Sequence, residues 1–188
     1  MNLSKEEKKI LLQIARSSIA EELKDKKPFK FEEDYPPNLI EKYGVFVTLT
    51  IDEQLRGCIG YILGFTSLYE QVYEAAKKAA FEDPRFTPLS EEEFDQIEIE
   101  ISVLSVPKKI KSIDEIKIGK HGLIIEKEHH HGLLLPQVAV KYNWNREDFL
   151  DHTCQKAGLR KHDWKSLQTK IEIFSAVIFS EKQMSKGK

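Results

Sequence analysis

The stretch of the sequence most suited to chemistry is residues 55–61, in which two glycines bracket a cysteine. Side chains of an extended chain alternate between faces, so Arg56 and Cys58 point to the same side. A guanidinium in that place favours the thiolate of a cysteine, which is its nucleophilic form. Gly57 and Gly60 lack a Cβ and admit a ligand or a second backbone. The stretch is therefore a candidate catalytic site, the alternative being an ordinary strand with a buried free cysteine.

Three other residues complete the candidate site. His121 is the histidine expected to act as a base for Cys58, although a His-Gly pair can also simply open a strand. Arg85 follows a predicted helix and can bind an anionic group of a substrate through its two-pronged guanidinium. The alternative for Arg85 is a local contact with Asp83 that fixes the turn.

The remaining histidines and the second cysteine are not predicted to do chemistry. His129 and His131 would share one face of an extended segment, but a third metal ligand is not evident, so no metal site is predicted. Cys154 lies on the apolar face of a predicted helix and is expected in the core. The sequence identifies no cofactor.

Length and composition favour one well-cored domain, with room for a smaller appendage, because the chain has 188 residues of which 40% are hydrophobic. The net charge of −2 gives no electrostatic reason to expect a nucleic-acid partner. Two cysteines do not make a disulfide framework, which predicts a reducing, cytoplasmic location. No stretch approaches the roughly 18 apolar residues of a membrane-spanning helix, so no membrane is expected.

Periodicity and capping signals predict helices and strands in irregular alternation. The predicted helices cover residues 5–24, 68–81, 136–142 and 146–157. The predicted strands cover residues 45–51, 55–61, 97–106, 171–179 and two segments beginning at residues 121 and 132. A proline-containing connector, residues 26–37, carries aromatic residues expected to pin it to the body of the protein. This pattern predicts an α+β fold with a mostly antiparallel sheet flanked by helices and a small helical subdomain. A smaller lobe is predicted from about residues 1–44 and neighbouring segments.

Several motifs in a fixed order resemble the AMMECR domain family, which includes the proteins called AmmeMemoRadiSam system protein A. The most specific is Leu-Arg-Gly-Cys-Ile-Gly at residues 55–60, followed by Asp-Pro-Arg-Phe at 83–86 and Ser-Val-Leu-Ser at 102–105. Further matches are His-Gly-Leu at 121–123, Gly-Leu-Leu-Leu-Pro-Gln-Val-Ala at 132–139 and Cys-Gln-Lys-Ala-Gly-Leu at 154–159. The resemblance covers about residues 11–179.

The resemblance implies a single AMMECR-like domain over residues 1–188, with an α+β fold. It attaches no settled reaction to the chain. Relatives of this kind occur beside, or fused to, Memo-like and radical-SAM proteins, so pathway partners of those two kinds are implied.

Two classes of function follow. The first is an enzyme or enzyme component acting on an unidentified small-molecule substrate. In it Cys58, Arg56 and His121 would be catalytic, and Gly57, Gly60, Asp83 and Arg85 would bind the substrate in an acyl or thioester step. The second is a non-catalytic binding module, which would use the glycine-flanked strand and the corner at residues 134–136. Exposure of Cys58 in a polar concave pocket would favour the first.

Overall fold

The computed structural model describes residues 2–23 and 29–185. Its α-helices are α1 Lys5–Leu23, α2 Pro37–Ile40, α3 Leu68–Phe81, α4 Glu91–Phe94, α5 Pro136–Lys141, α6 Arg146–Lys156 and α7 Glu181–Ser185. Its strands are β1 Gly44–Ile51, β2 Gln54–Tyr61, β3 Glu98–Leu104, β4 Lys108–Lys109, β5 His121–Lys127, β6 His130–Leu134 and β7 Lys170–Ser180. The strand pairings with a defined register are antiparallel, which confirms the predicted α+β fold with an antiparallel sheet flanked by helices.

Contacts between residues divide the chain into two compact units. The first comprises Met1–Leu104 and Val177–Lys188, and the second comprises Ser105–Ala176. Helices α1 and α2 belong to the first unit together with β1, β2 and β3, and the smaller lobe expected from about residues 1–44 stays a prediction. Strand β7 contributes its last residues to the first unit and the rest to the second.

The first unit is built on strands in the order β2-β1-β3, with the end of β7 beside β3. Helices α1 and α3 pack against each other, α3 against β1 and β2, and α1 against β3. Along β1 the fully buried side chains of Val45, Val47 and Leu49 alternate with those of Thr48 and Thr50. One face of the sheet is therefore apolar and covered by helices, and the other is polar.

Reciprocal capping hydrogen bonds fix the starts of three helices in the first unit. At α1, the Ser4 backbone N–H donates to the Glu7 carboxylate while the Glu7 N–H donates to Ser4 Oγ. At α4 the Ser90 N–H donates to the Glu93 carboxylate while the Glu93 N–H donates to Ser90 Oγ, and at α3 the Ser67 N–H donates to the Glu70 carboxylate. Each box satisfies backbone donors that a helix start leaves without intrahelical partners.

The connector after α1 is held down by aromatic packing, as its composition predicts. The ring of Phe31 lies 5.2 Å from that of Tyr69 and 5.3 Å from that of Tyr73, both on α3. Tyr35 stacks on Tyr69 at 4.2 Å, and Phe29 stacks on Tyr73 at 6.2 Å. The predicted helix end at residue 24 and the first part of the connector, residues 26–28, lie outside the described residues.

The second unit pairs β5 with β6 on one side and with β7 on the other, and β4 pairs with β7. Helix α6 packs on β5 and β6. Its apolar face places Phe149, Leu150 and Cys154 fully in the core. Burial raises the pKa of the Cys154 thiol to about 11, so this cysteine is an inert core residue, as the helical spacing predicts.

We predict that Gly57→Ala destabilises the first unit. A Cβ at residue 57 would collide with the backbone carbonyl of Ala79 on α3, so helix and strand would have to separate. We expect a loss of about 2–3 kcal/mol in the free energy of unfolding, measured by urea denaturation. Gln54→Ala, at an exposed position of the same strand, is the control and should stay within about 0.5 kcal/mol of wild type. An unchanged midpoint for Gly57→Ala would show that α3 does not pack closely on β2.

Candidate functional site

Cys58 is a free, partly exposed cysteine on β2, the outer strand of the first unit's sheet. It lies opposite Thr48 in the register of β1 and β2. The Thr48 hydroxyl donates a hydrogen bond to Cys58 Sγ at 3.3 Å. A hydroxyl that donates to sulfur stabilises the thiolate more than the thiol. Thr48 therefore places a hydrogen-bond donor of the neighbouring strand at the sulfur of Cys58.

The backbone of Cys58 is bound by the loop that follows α3. Its N–H donates to Asp83 Oδ2 at 2.9 Å, and its carbonyl accepts from Arg85 Nη2 at 3.3 Å. Both peptide groups thus point away from β1, so Thr48 and Cys58 form a non-hydrogen-bonded pair, in which facing side chains come closest. We call this pair of bonds the Asp83–Arg85 clasp, which occupies an edge that would otherwise be open to another strand.

The two members of the clasp also bind each other. Arg85 Nε lies 2.9 Å from Asp83 Oδ1, and Arg85 Nη2 lies 2.6 Å from Asp83 Oδ2. These bonds hold the pKa of Asp83 well below its usual range, although burial of a side chain only 2% exposed acts in the opposite direction. The local contact considered for Arg85 is therefore formed. More than half of the Arg85 side chain remains exposed beside the ring of Phe86.

Arg56 binds a partner that its position in the sequence does not predict. It falls at a register shift between β1 and β2 and binds both carboxylate oxygens of Glu93, at 2.7 and 2.8 Å. Its Nη2 also donates to the carbonyl of Thr87 at 2.9 Å. The hydrogen bond to Glu93 raises the pKa of Arg56. Arg56 therefore ties β2 to the start of α4, whereas Arg85 is the cation that binds the backbone carbonyl of Cys58.

The space beside each of the two glycines of the motif is occupied by other parts of the protein. Helix α3 lies against Gly57 through the carbonyl of Ala79, and the ring of Phe46 covers Gly60 from the facing strand. The close approach predicted at Gly57 is therefore made by a second backbone. A ligand contact at either glycine stays a prediction.

His121 opens β5 in the second unit, whereas Cys58 lies in the first. Its Nδ1 accepts a hydrogen bond from the backbone N–H of Lys117 at 3.2 Å. Burial and the neighbouring charge of Lys120 lower the pKa of His121, which keeps its ring neutral near pH 7. A neutral imidazole is able to accept a proton, and its role as a base for Cys58 stays a prediction.

A polar cleft of about 350 Å³ opens on the sheet face away from α1 and α3. None of the residues in its lining was predicted as a site residue. The lining is Thr48, Thr50, Glu53, Glu98, Glu100, Ser180, Lys182 and Gln183. The signal for it is the alternation of β3, where Glu98 and Glu100 stand between buried isoleucines and so point to the other face.

Strand register aligns this cleft with Cys58. Thr48 is paired with Cys58 on one side and with Glu100 on the other, so the three residues form one row across β2, β1 and β3. Neighbouring strands lie about 4.8 Å apart, which places the Cα atoms of Cys58 and Glu100 about 10 Å from each other. Thr48, in the middle, contacts the sulfur and lines the cleft.

Of the two β3 carboxyls that line the cleft, Glu98 and Glu100, the latter has fewer partners. Glu98 accepts bonds from Ser180 Oγ at 2.7 Å and from the N–H of Lys182 at 3.3 Å. Throughout residues 2–23 and 29–185, no hydrogen bond or ion pair engages the Glu100 carboxyl. Burial, with the nearby charge of Glu98, raises its pKa. A poorly solvated carboxyl without a partner is the kind of group that functional sites contain.

The described part of the chain contains neither a cluster of metal-binding side chains nor a membrane-spanning helix. No group of three or more His, Cys, Asp or Glu side chains there is placed to hold a metal ion. His130, in the histidine-rich hairpin, contacts the carbonyl of Ala157 through Nδ1 at 3.1 Å. None of the helices there has the length and apolar character needed to cross a membrane.

Comparison with known proteins places this architecture in a family. The crystal structure of the uncharacterized protein PH0010 from Pyrococcus horikoshii is similar, with a TM-score of 0.84 and 43% identity over 93% of this chain and 91% of that one. A Thermococcus gammatolerans protein is 45% identical over 91% of this chain and 88% of its own length. An Aquifex aeolicus protein is 47% identical over 79% and 82%. The AMMECR1 family model matches residues 12–179, so the chain belongs to the AMMECR1 family.

We predict that Asp83→Asn destabilises the protein at neutral pH by about 2 kcal/mol, because the amide cannot pair ionically with Arg85. The pKa of Asp83 is depressed in the folded protein, so its contribution is complete above the unfolded value of about 3.9 and is lost as the pH falls below it. The difference between variant and wild type should therefore shrink between pH 7 and pH 3 in urea denaturation. Exposed Asp34→Asn is the control. A difference independent of pH would mean that Asp83 is not ionised in the clasp.

For Glu100→Gln we predict the opposite effect, a gain in the free energy of unfolding at neutral pH. The pKa of Glu100 is raised by folding, so wild-type protein loses stability as the pH rises above the unfolded value of about 4.3. The variant avoids that loss and should show a higher urea midpoint than wild type at pH 7, with the two converging near pH 4. Glu74→Gln, on the exposed side of α3, should change little at either pH. A lower midpoint for Glu100→Gln at pH 7 would show that the carboxylate is stabilised by its surroundings.

Proposed function

We propose that the first unit carries an enzymatic site in which the thiolate of Cys58 is a nucleophile for acyl or thioester chemistry. The observation that supports this is the row of Cys58, Thr48 and Glu100 across three paired strands. It combines a hydroxyl bonded to the sulfur with a carboxyl in an adjoining cleft that has no hydrogen-bond or ion-pair partner among the described residues. Nucleophile, hydrogen-bond donor and proton carrier are the groups that covalent acyl transfer requires.

The proposed reaction has two steps. The thiolate attacks the carbonyl carbon of the substrate, forming a carbon–sulfur bond, and the leaving group departs with the proton of Glu100. Water or another acceptor then attacks the thioester, Glu100 takes up the acceptor's proton, and the thiolate is regenerated. The raised pKa of Glu100 suits both directions of proton transfer, since a carrier acts best when its pKa approaches the working pH.

The other predicted site residues take supporting roles in this proposal. The clasp of Asp83 and Arg85 fixes the backbone of Cys58, and the exposed part of Arg85 supplies positive charge near the thiolate. Arg56 positions β2 through Glu93. His121 is retained as a second candidate base.

Two further proposals come from the sequence. The family resemblance implies Memo-like and radical-SAM proteins as pathway partners, and the two free cysteines support a cytoplasmic location. Neither adds to the argument for the reaction.

A binding module is the second candidate function. Hydrogen-bonded and non-hydrogen-bonded pairs alternate along an antiparallel ladder, so Gly60, two residues after Cys58, also directs its peptide groups away from β1. An extended peptide from a partner is able to pair with such an edge. The unpartnered Glu100 has no role in that function, which is why we favour the enzymatic one.

Alkylation of Cys58 tests the proposal. In a Cys154→Ala background, which leaves Cys58 as the single cysteine, iodoacetamide should label the folded protein at pH 7. Thr48→Val removes the hydrogen bond to sulfur and should slow labelling by about three- to tenfold, the equivalent of one ordinary hydrogen bond. Thr50→Val is the matched control, because Thr50 lies on the same strand and face without contacting the sulfur, and its rate should equal that of the background.

Two results would contradict the proposal. Labelling that occurs only after unfolding would show that Cys58 is not available as a nucleophile. Equal rates in Thr48→Val and Thr50→Val would show that the hydrogen bond to sulfur does not activate the thiolate.

A further inference from the structure

The second unit contains a groove of about 300 Å³ that lies outside the site described above. It runs between residues 109–113, which begin at the end of β4, and residues 164–171, which extend into the start of β7. Its apolar residues include Ile110 and Trp164, both nearly buried, and the partly buried Ile171. Leu167 stands fully exposed at the groove, an unusual position for a leucine unless something covers it.

All of the charged side chains that line this groove are positive. Lys109, Lys111 and Lys165 belong to its lining, which contains no aspartate or glutamate. Within the described residues, no ion pair engages any of these three side chains, although Lys108 next to them is paired with Glu115. The Lys165 ammonium instead lies 4.8 Å from the centre of the Trp164 ring. An occupant of this groove must therefore combine apolar surface with negative charge.

The backbone at the groove favours an extended peptide as that occupant. Ile110 donates its N–H to the carbonyl of Ile171, and Lys109 is the preceding position, opposite Glu172. Because bonding alternates along an antiparallel pair, the N–H and carbonyl of Lys109 point away from β7. Lys109 thus offers a peptide group that no other strand of the described residues pairs with, and a cationic side chain at the groove. A peptide strand uses both, whereas a lipid or a small anion uses only the charge.

We propose that the groove of the second unit is a docking site for an extended acidic segment of a partner protein. One apolar side chain of that segment would enter the groove beside Leu167 and Trp164. Its carboxylates would pair with Lys109, Lys111 and Lys165, and its backbone would extend along β4. The proposal is independent of the reaction assigned to Cys58, because the residues that carry it lie in the second unit.

Selection from a random twelve-residue peptide library displayed on phage, with the full-length protein as bait, tests this inference. The selected peptides should combine aspartate or glutamate with a central leucine, isoleucine or aromatic residue. A fluorescein-labelled synthetic copy of the most enriched peptide then gives the affinity by anisotropy. Binding should weaken at least tenfold for Leu167→Asp and for the triple variant Lys109→Ala, Lys111→Ala, Lys165→Ala.

The matched control changes three exposed lysines of the same unit outside the groove, Lys120→Ala, Lys141→Ala and Lys161→Ala, and should bind within twofold of wild type. It has the same net charge as the groove variant, so it separates a specific site from general attraction. The proposal is overturned if the library yields no binders, if the peptides lack acidic residues, or if both triple variants lose affinity equally. Binding to phosphatidylserine vesicles without peptide binding would likewise overturn it.

Discussion

The Asp83 carboxylate is the group on which the arrangement of the first unit depends. Strand β2 lies at the edge of the sheet, so the peptide N–H of Cys58 has no partner strand, and a buried donor without an acceptor is costly. Asp83 supplies that acceptor, and Arg85 keeps the carboxylate ionised while it binds the carbonyl of the same residue. One ion pair thereby satisfies the strand edge, fixes the loop after α3 and places positive charge near the sulfur.

Local patterns predict the longer elements, but not the two-residue strand β4 or the short helix α7. Alternation in β1 and β3, the capping serines and the apolar face of α6 all report interactions within a few residues. The contact between Asp83 and Arg85 is one of the two alternatives that the sequence offers for Arg85, because the residues are two apart. Their link to Cys58, which is 25 residues from Asp83, follows no spacing rule.

The partner of Arg56 and the position of Glu100 beside Thr48 become evident only from the three-dimensional structure. Spacing predicts that Arg56 and Cys58 share a face of the strand, but Arg56 falls at a register shift, and Glu93, 37 residues away, binds its guanidinium through both carboxylate oxygens. From the sequence alone, Glu100 is only a polar residue on the solvent-facing side of a predicted strand. Its alignment with Thr48 and Cys58 depends on the register of two strand pairs, which composition does not fix.

The net charge of the whole chain likewise does not show how charge is distributed between individual surfaces. The sum of −2 correctly gives no reason to expect a strongly basic protein. It conceals a cleft in the first unit with three glutamates and one lysine in its lining, and a groove in the second unit with three lysines and no acid. Attraction between charges falls off within about 8–10 Å at physiological salt, so a ligand responds to the lining it meets and not to the total. The two surfaces therefore select opposite charges, and a partner with an acidic segment has no electrostatic reason to compete for the cleft beside Cys58.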